Sequence, residues 1–221
     1  MKHHIRSFGV FVLLTIISIG LLIISYRCSS TGRQTAIEDS IEYTYNKYEE
    51  IPFPTPNYDH DVKNRLKGVI LHHTAEPTIE RSLEVLTSAE RGVGTHVVID
   101  TNGTRYIMCE PEIVTYHAGL SILNGEEGCN YFTIGIEFQG NTLEKPLTQD
   151  QINSAIGYLV PLITKYNIPI KNIVTHEMVR TEYMKQYPQK RCSGKVDITQ
   201  NEYIRFMTEL QKVMKLRQSR R

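Results

Sequence analysis

The chain has no tryptophan, almost no excess of charge and only four cysteines in 221 residues. Its formal net charge of +1 argues against a nucleic-acid partner, because such a partner requires a clustered basic face. It also lacks internal repeats and low-complexity tracts, and a hydrophobic content of 40% is ordinary for a globular protein. This length suits one well-buried domain with extensions and is short for two.

The N-terminal region lacks charge over a long stretch. Residues 8–26 contain no charged side chain, with Lys2 and Arg6 before them and Arg27 directly after. Such a run approaches the length of a membrane-spanning helix, and the preceding positive charges favour export of the chain beyond it. We therefore predict a transmembrane or signal helix over residues 1–30. A retained anchor is favoured over a lipoprotein signal at Cys28, and both over simple secretion. Each option places the remaining chain outside the cytoplasm, facing the periplasm or the cell exterior.

The four cysteines are Cys28, Cys109, Cys129 and Cys192. Exported proteins often pair their cysteines. If Cys28 lies at the membrane and Cys192 binds metal, Cys109 and Cys129 are left to bridge, and two buried free thiols are an equal alternative. A disulfide at Cys192 is a third possibility, which would exclude that residue as a metal ligand.

Proline marks the expected start of the globular part. Residues 34–50 have helical spacing and predict a short helical stalk or a strap on the domain. Residues 51–57 read IPFPTPN, whose prolines enforce an extended linker. We therefore predict a stalk and linker over residues 31–60 and a single domain over residues 61–221.

Strand and helix patterns alternate along this domain. Apolar runs predict strands at 67–72, 94–100, 104–109, 132–139 and 171–175, with a tight hairpin at Thr101-Asn102-Gly103. Helices are predicted at 80–90, from a capping box of Thr148 and Gln151 to about 166, and after Asp197 or Thr199. Residues 110–130 and 177–197 are predicted as long loops. The expected fold class is α/β, a single domain with a central mixed β-sheet flanked by helices.

Zinc-type ligands occur in three short stretches, two at the ends of predicted strands and one in a predicted loop. Residues 69–75 read VILHHTA, residues 172–177 read NIVTHE, and residues 190–194 read KRCSG. A catalytic zinc takes three protein ligands and keeps one position open for water. His72 and His73 are adjacent in a strand and point to opposite faces, so only one should reach a site. The start of a helical HExxH motif at His176 is excluded as a metalloprotease signature, because Arg180 replaces the second histidine.

Together with YHAG at residues 116–119 and CNYFTIGIEFQG at residues 129–140, these stretches resemble the type 2 N-acetylmuramoyl-L-alanine amidases. That superfamily includes the muropeptide amidases of wall recycling and the peptidoglycan recognition proteins, and the resemblance covers roughly residues 67–214. It implies a zinc enzyme that hydrolyses the amide between N-acetylmuramic acid and L-alanine in peptidoglycan or muropeptides. Because some relatives bind peptidoglycan without cutting it, a non-catalytic binding module is the alternative. We expect a monomer, attached to the membrane only through its N-terminal segment.

The resemblance also implies a role for each site residue. Zinc would be held by His72, His176 and Cys192, with Glu137 as general base and Lys190, two positions before Cys192, stabilising the oxyanion. His117 and His73 are the predicted substrate contacts, although His73 could instead pack beneath the site.

Two positions depart from the usual pattern of these amidases. The loop between His176 and Cys192 is longer than usual, which leaves Asp197 as an alternative ligand, although capping of the last helix explains the position of Asp197 better. Thr95 precedes His96 where some phage relatives have tyrosine, which favours a glutamate-dependent mechanism. For His96 itself, structural packing is at least as good an explanation as a role in the site.

Overall fold

The structure, a computed structural model, describes residues 44, 45, 47–190 and 197–218. The chain divides into two compact units, Met1–Thr44 and Tyr45–Arg221. Of the first unit only Thr44 is described, so the predicted anchor or signal helix and most of the predicted stalk lie outside the described residues. Within the described ranges, no helix is long and apolar enough to cross a membrane.

Strands and helices alternate along the second unit. The strands are β1 (Glu50–Pro52), β2 (Tyr58–Lys63), β3 (Gly68–His73), β4 (Val97–Ile99), β5 (Arg105–Ile107), β6 (Ile113–Thr115), β7 (Ile122–Leu123), β8 (Glu126–Glu127), β9 (Thr133–Phe138) and β10 (Ile173–Thr175). The helices are α1 (Ile79–Thr87), α2 (Gln149–Tyr166), α3 (His176–Gln186) and α4 (Gln200–Gln218).

The main sheet has the strand order β1-β5-β4-β9-β3-β10 in the part of the chain that the structure describes. The pairings of β1 with β5, β4 with β9, β9 with β3 and β3 with β10 are parallel, and β4 with β5 is antiparallel. That antiparallel pair is the hairpin predicted at Thr101-Asn102-Gly103, where Gly103 has a φ of 88° that favours glycine. The sheet is therefore mixed, as predicted.

Helices cover both faces of this sheet. Alternate side chains of β3 and β9 point to opposite sides. On one side Leu71, Ile134, Ile136 and neighbouring side chains pack against α2 and α4 in the largest core cluster. On the other side α1 packs against Val98 of β4, and α3 packs against Ile70 of β3. The predicted α/β class with a sheet flanked by helices is confirmed.

The structure differs from the predicted start of the domain. β1 pairs with β5 at the edge of the main sheet, and β2 pairs with β6, so much of the predicted linker packs onto the domain. The edge strand β1 accepts Pro52 because, among the described residues, no second strand pairs with β1 and requires the missing N–H. Arg105, which is 5% exposed, donates to Glu50 Oε1 and to the carbonyl oxygen of Tyr45, both at 2.9 Å. The compact unit accordingly begins at Tyr45.

The prediction of a loop over residues 177–197 is wrong for its first half, which forms α3. Thr175 caps this helix, its side chain accepting from the backbone N–H of Met178. Among the described side chains of α3 only Val179 and Tyr183 are buried, so its apolar periodicity is too weak to indicate a helix. The other predicted loop, residues 110–130, is largely irregular and holds only the short strands β6, β7 and β8.

Cys109 and Cys129 are free thiols, Cys129 buried and Cys109 half-buried. Burial raises the pKa of each thiol to about 11. Of the two alternatives for Cys109 and Cys129, the structure therefore agrees with two free thiols and not with a disulfide. Cys28 and Cys192 lie outside the described residues.

Candidate metal centre and active site

His72 and Glu137 lie side by side near the C-terminal ends of two parallel strands. The register of β3 and β9 pairs His72 with Glu137, and the alternation of side chains turns both towards the face that carries α1 and α3. They are 2% and 6% exposed. Glu137 Oε2 has no hydrogen-bond partner among the described residues. Because a buried carboxylate oxygen without a partner is costly, this geometry indicates a site built to receive a proton, a water or a cation.

His176 reaches the same place from the other neighbour of β3. It is the first residue of α3 and follows β10, which runs parallel to β3. Parallel strands end at the same edge of a sheet, so the side chains that follow them converge. The ring centroids of His72 and His176 are 4.9 Å apart. The structure thus brings the two predicted metal-binding histidines together.

Asp197 completes a cluster of three possible ligands. Its Oδ2 lies 2.8 Å from His176 Nδ1, and its Oδ1 lies 3.6 Å from His72 Nδ1. One ligand atom from each residue lies within 4.8 Å of the other two, and Asp197 is fully buried. Burial alone would raise the pKa of the Asp197 carboxyl. Hydrogen bonding and charge from His176 and His72 outweigh burial and hold that pKa well below its ordinary value.

The contacts of His176 provide a test of whether a cation fits this cluster. Its Nε2 lies 3.1 Å from the carbonyl oxygen of Ala118, and its Nδ1 lies 2.8 Å from Asp197 Oδ2. A neutral imidazole carries one N–H and can donate to only one of these acceptors. A proton or a metal ion between Nδ1 and the carboxylate satisfies the second contact. Two imidazoles and a carboxylate are a ligand set that zinc accepts, so the residues fit the metal.

A cleft of about 720 Å³ opens over this cluster. His72, Glu137 and His176 line this cleft, together with residues 91–94 after α1 and residues 116–120. A cavity of this size is typical of a site for a small or extended ligand. The cluster therefore lies where a substrate could reach it.

His117, predicted as a substrate contact, lines the cleft but has both ring nitrogens turned towards protein partners. Nδ1 lies 3.2 Å from His72 Nε2, and Nε2 lies 3.3 Å from Thr133 Oγ1. Burial, followed by the nearby imidazoles of His72, His96 and His176, lowers the pKa of His117 well below its usual value. The ring is therefore neutral at physiological pH.

His73, the second predicted substrate contact, lies on the opposite face of β3 from the cleft. Its side chain is 1% exposed, and its Nδ1 accepts from the backbone N–H of Thr142 at 3.1 Å. Successive side chains of a strand point to opposite faces, so His73 points away from the cleft because His72 points towards it. This position corresponds to packing beneath the site and not to contact with a ligand in the cleft.

The remaining predicted residues are placed differently. Lys190 donates to the hydroxyl of Tyr183 at 3.0 Å and lies 5.1 Å from the ring centroid of Tyr187, and it is not among the side chains that line the cleft. Cys192 lies outside the described residues. Asp197, kept as an alternative in the sequence interpretation, takes the third position of the described cluster.

Comparison with known proteins adds an independent observation. The family model described as N-acetylmuramoyl-L-alanine amidase matches residues 62–195. The chain belongs to this amidase family.

Individual amidases are more distant. The chain is 28% identical over 128 residues to the N-acetylmuramoyl-L-alanine amidase AmiD of Escherichia coli strain K12, covering 51% of this chain and 45% of that protein. It is 37% identical over 67 residues to the 1,6-anhydro-N-acetylmuramyl-L-alanine amidase AmpD of Enterobacter cloacae, covering 30% and 35%. The chain therefore spans less than half of the length of these curated relatives.

The fold agrees with that of a solved amidase. The crystal structure of a selenomethionine derivative of AmpD aligns with a TM-score of 0.53 at 21% identity, covering 73% of this chain and 94% of that one. At this identity the similarity supports the fold alone. The mixed sheet flanked by helices is thus a fold that occurs in the amidase family.

Proposed function

We propose that this chain is a zinc-dependent amidase that hydrolyses the bond between N-acetylmuramic acid and L-alanine in peptidoglycan or muropeptides. The observation that carries the proposal is the cluster of His72, His176 and Asp197 beside Glu137, with His72, His176 and Glu137 lining a cleft. Membership of the amidase family supports the same reaction.

The zinc ion would be held by His72, His176 and Asp197. Bound there, it supplies Lewis acidity, which polarises a carbonyl and makes water a better nucleophile near neutral pH. Cys192 stays a prediction from the sequence, whereas the carboxylate of Asp197 lies 2.8 Å from Nδ1 of His176 and 3.6 Å from Nδ1 of His72.

Glu137 would move the proton in this reaction. Its carboxylate takes a proton from the water that adds to the amide carbonyl carbon, and it returns a proton to the nitrogen as the C–N bond breaks. The products are the lactyl carboxylic acid of N-acetylmuramic acid and the free amine of L-alanine. Its place beside His72 suits this task, as does its Oε2, which has no hydrogen-bond partner in the described part of the chain.

The oxyanion could be stabilised by either of two lysines. Lys190 stands two positions before Cys192, and Lys195 stands two positions before Asp197. Lys190 was chosen because it stands two positions before a predicted ligand. If Asp197 is the third ligand, the same spacing assigns the role to Lys195, which lies outside the described residues. Measuring kcat for Lys190→Ala and for Lys195→Ala distinguishes the two lysines. The variant that lacks the oxyanion donor should lose about 100- to 1000-fold.

The test of the activity is direct. The zinc-loaded protein is incubated with purified muropeptides and with intact peptidoglycan, and the products are identified by mass spectrometry. Release of free stem peptide beginning at L-alanine supports the proposal. Intact muramyl-peptide after long incubation, with binding retained, would support the alternative of a non-catalytic peptidoglycan-binding module.

We also propose, from residues 8–26 alone, that the domain acts outside the cytoplasm and that residues 1–30 attach it to a membrane as an anchor or lipoprotein. Extraction of the full-length protein from membranes by detergent but not by high salt is the expected result. Recovery of the protein in the cytoplasmic soluble fraction would contradict the proposal. The same sample, analysed by light scattering, tests the expectation of a monomer.

A further inference from the structure

One short segment, His117–Ala118, contacts both histidines of the candidate metal centre. His72 Nε2 lies 3.2 Å from His117 Nδ1, and His176 Nε2 lies 3.1 Å from the carbonyl oxygen of Ala118. In both rings the other nitrogen, Nδ1, faces Asp197, at 3.6 Å for His72 and 2.8 Å for His176. In each of the two rings, Nε2 is therefore the nitrogen that contacts this segment, and the contacting residues are neighbours in the chain.

The contact to Ala118 fixes the tautomer of His176. A backbone carbonyl oxygen can only accept, so His176 Nε2 must carry the hydrogen. In the neutral ring the lone pair is then on Nδ1, the nitrogen that faces Asp197.

The tautomer of His72 depends on a chain of contacts that begins at Thr133. Thr133 Oγ1 lies 2.7 Å from the carbonyl oxygen of Cys129, which can only accept, so the single hydroxyl hydrogen of Thr133 is donated there. Oγ1 then accepts from His117 Nε2, at 3.3 Å. With its hydrogen on Nε2, His117 presents the lone pair of Nδ1 to His72. His72 Nε2 therefore donates, and its own Nδ1 lone pair points towards Asp197.

The segment that makes these contacts is itself clamped. Asn130 Oδ1 accepts from the backbone N–H of His117 at 3.0 Å and from that of Ala118 at 2.7 Å. The His117 ring also lies directly over Gly135, where a Cβ atom would come within 2.6 Å of the ring. Both the backbone and the ring are thus fixed before any ligand binds.

We propose that the His117–Ala118 segment, locked by Thr133 and Asn130, holds His72 and His176 in the tautomer with hydrogen on Nε2, so that both offer Nδ1 to the metal ion. The inference rests on the proposed function in one respect, that the cluster binds zinc. His117 is then a positioning residue that acts through His72. A hydrogen bond on the nitrogen remote from the metal is a general way in which proteins orient imidazole ligands.

The test compares Thr133→Val, which removes the hydroxyl, with Thr133→Ser, which keeps it. Zinc affinity is measured by competition with a chelator, and the tautomers are read from long-range ¹H–¹⁵N spectra of the zinc-loaded protein. Thr133→Val should weaken zinc binding about 10- to 100-fold, and Thr133→Ser should stay close to the wild type. In the wild type both histidines should carry hydrogen on Nε2.

A second variant, His117→Phe, removes the acceptor for His72 directly and leaves Thr133 unchanged. We expect the same loss of zinc affinity. Hydrogen on Nδ1 of either histidine in the zinc-loaded wild type would overturn the inference. Unchanged zinc affinity in both Thr133→Val and His117→Phe, or a wild type that takes up no zinc, would also overturn it. A wild type with the expected tautomers and affinities that hydrolyses no muropeptide would instead refute the proposed function alone.

Discussion

In the proposed mechanism, hydrolysis depends most directly on the carboxylate of Glu137. Glu137→Gln keeps the shape of the side chain but removes the base. We expect zinc content to stay at the wild-type level and kcat to fall about 100- to 10,000-fold, measured as the rate of stem-peptide release.

The matched control for this change is Glu177→Gln. Glu177 is a neighbour of His176 but does not line the cleft, so its variant should keep near wild-type turnover. A Glu137→Gln protein that keeps near wild-type kcat would contradict the assigned role.

His96 makes the stability of the domain depend on pH. It is fully buried, its Nδ1 accepts from the N–H of Gly135 and its Nε2 donates to the carbonyl oxygen of Ile113, both at 2.9 Å. Burial lowers its pKa from 6.5 to about 4, although the hydrogen bond to Ile113 opposes this. The unfolded chain therefore binds more protons between these two values. The stability present above pH 6.5 is lost as the pH falls towards 4.

We expect His96 to lower the free energy of unfolding by about 2 kcal/mol between pH 7 and pH 5. Urea titrations at both pH values measure this. His96→Gln should show a smaller difference between the two, whereas the control His60→Gln, at an exposed position, should show the wild-type difference. Equal pH dependence in all three proteins would refute the assignment.

At this scale the sequence was informative wherever a strand fixes a side chain. Side chains alternate between the two faces of β3, so only one of His72 and His73 can face the site. The resemblance indicates His72, and in the structure His72 lines the cleft with Glu137. Asp197 could not be distinguished from a helix cap, because a lone aspartate before a helix suits both roles. The lysine two positions earlier, Lys195, is the signal that could have favoured Asp197 as a ligand, because it has the spacing that the sequence analysis applied to Lys190 and Cys192.

Among the elements, α2 is the one whose start the sequence predicts most fully. Thr148 Oγ1 accepts from the N–H of Gln151 at 3.0 Å, the Gln151 side chain accepts from the N–H of Thr148, and Thr148 Oγ1 also donates to the carbonyl of Thr101 at 2.6 Å. The predicted capping box is confirmed.

Thr148→Ala should lower the free energy of unfolding by about 1–2 kcal/mol, because it removes the cap and the link to the β4–β5 hairpin. Thr164→Ala is the control within the same helix, since its hydroxyl bonds only to the carbonyl of Val160 one turn earlier among the described contacts. Chemical denaturation measures both, and equal costs would contradict the special role of the cap.

Other elements could not be predicted from local pattern. α3 is largely polar, so its helical period carries little apolar signal, and its formation depends on the cap at Thr175 and on a few buried contacts. The hairpin of β7 and β8, by contrast, has a local signal that the sequence analysis missed. Its two-residue strands pair with each other across Asn124-Gly125, and both turn residues have positive φ, as a tight hairpin turn requires.

For the whole molecule, the position of the N-terminal boundary has a measurable consequence. A chain that begins at residue 44 keeps β1 and the partners of Arg105, whereas one that begins at residue 61, the boundary expected from the prolines, loses Tyr45 and Glu50. The shorter chain should be less stable by about 2 kcal/mol or more, because the buried guanidinium of Arg105 loses two acceptors and keeps only those of Ser154 among the described contacts. Equal urea midpoints for the two chains would show that residues 44–60 do not contribute.

The overall fold class was predictable because alternating strand and helix patterns restrict a chain to few architectures. The order of the strands was not, since it depends on which apolar faces meet after long connections. That order matters for function: β9 and β10 both lie beside β3, and this arrangement brings Glu137 and His176 to His72.

The central claim is that His72, His176 and Asp197 bind one zinc ion. The most direct measurement is the zinc content of purified wild type, Asp197→Ala and Cys192→Ser after equilibrium dialysis against micromolar zinc. The account predicts one equivalent in the wild type and in Cys192→Ser, and loss of zinc in Asp197→Ala. A wild type without zinc, or loss of zinc from Cys192→Ser with retention in Asp197→Ala, would contradict it.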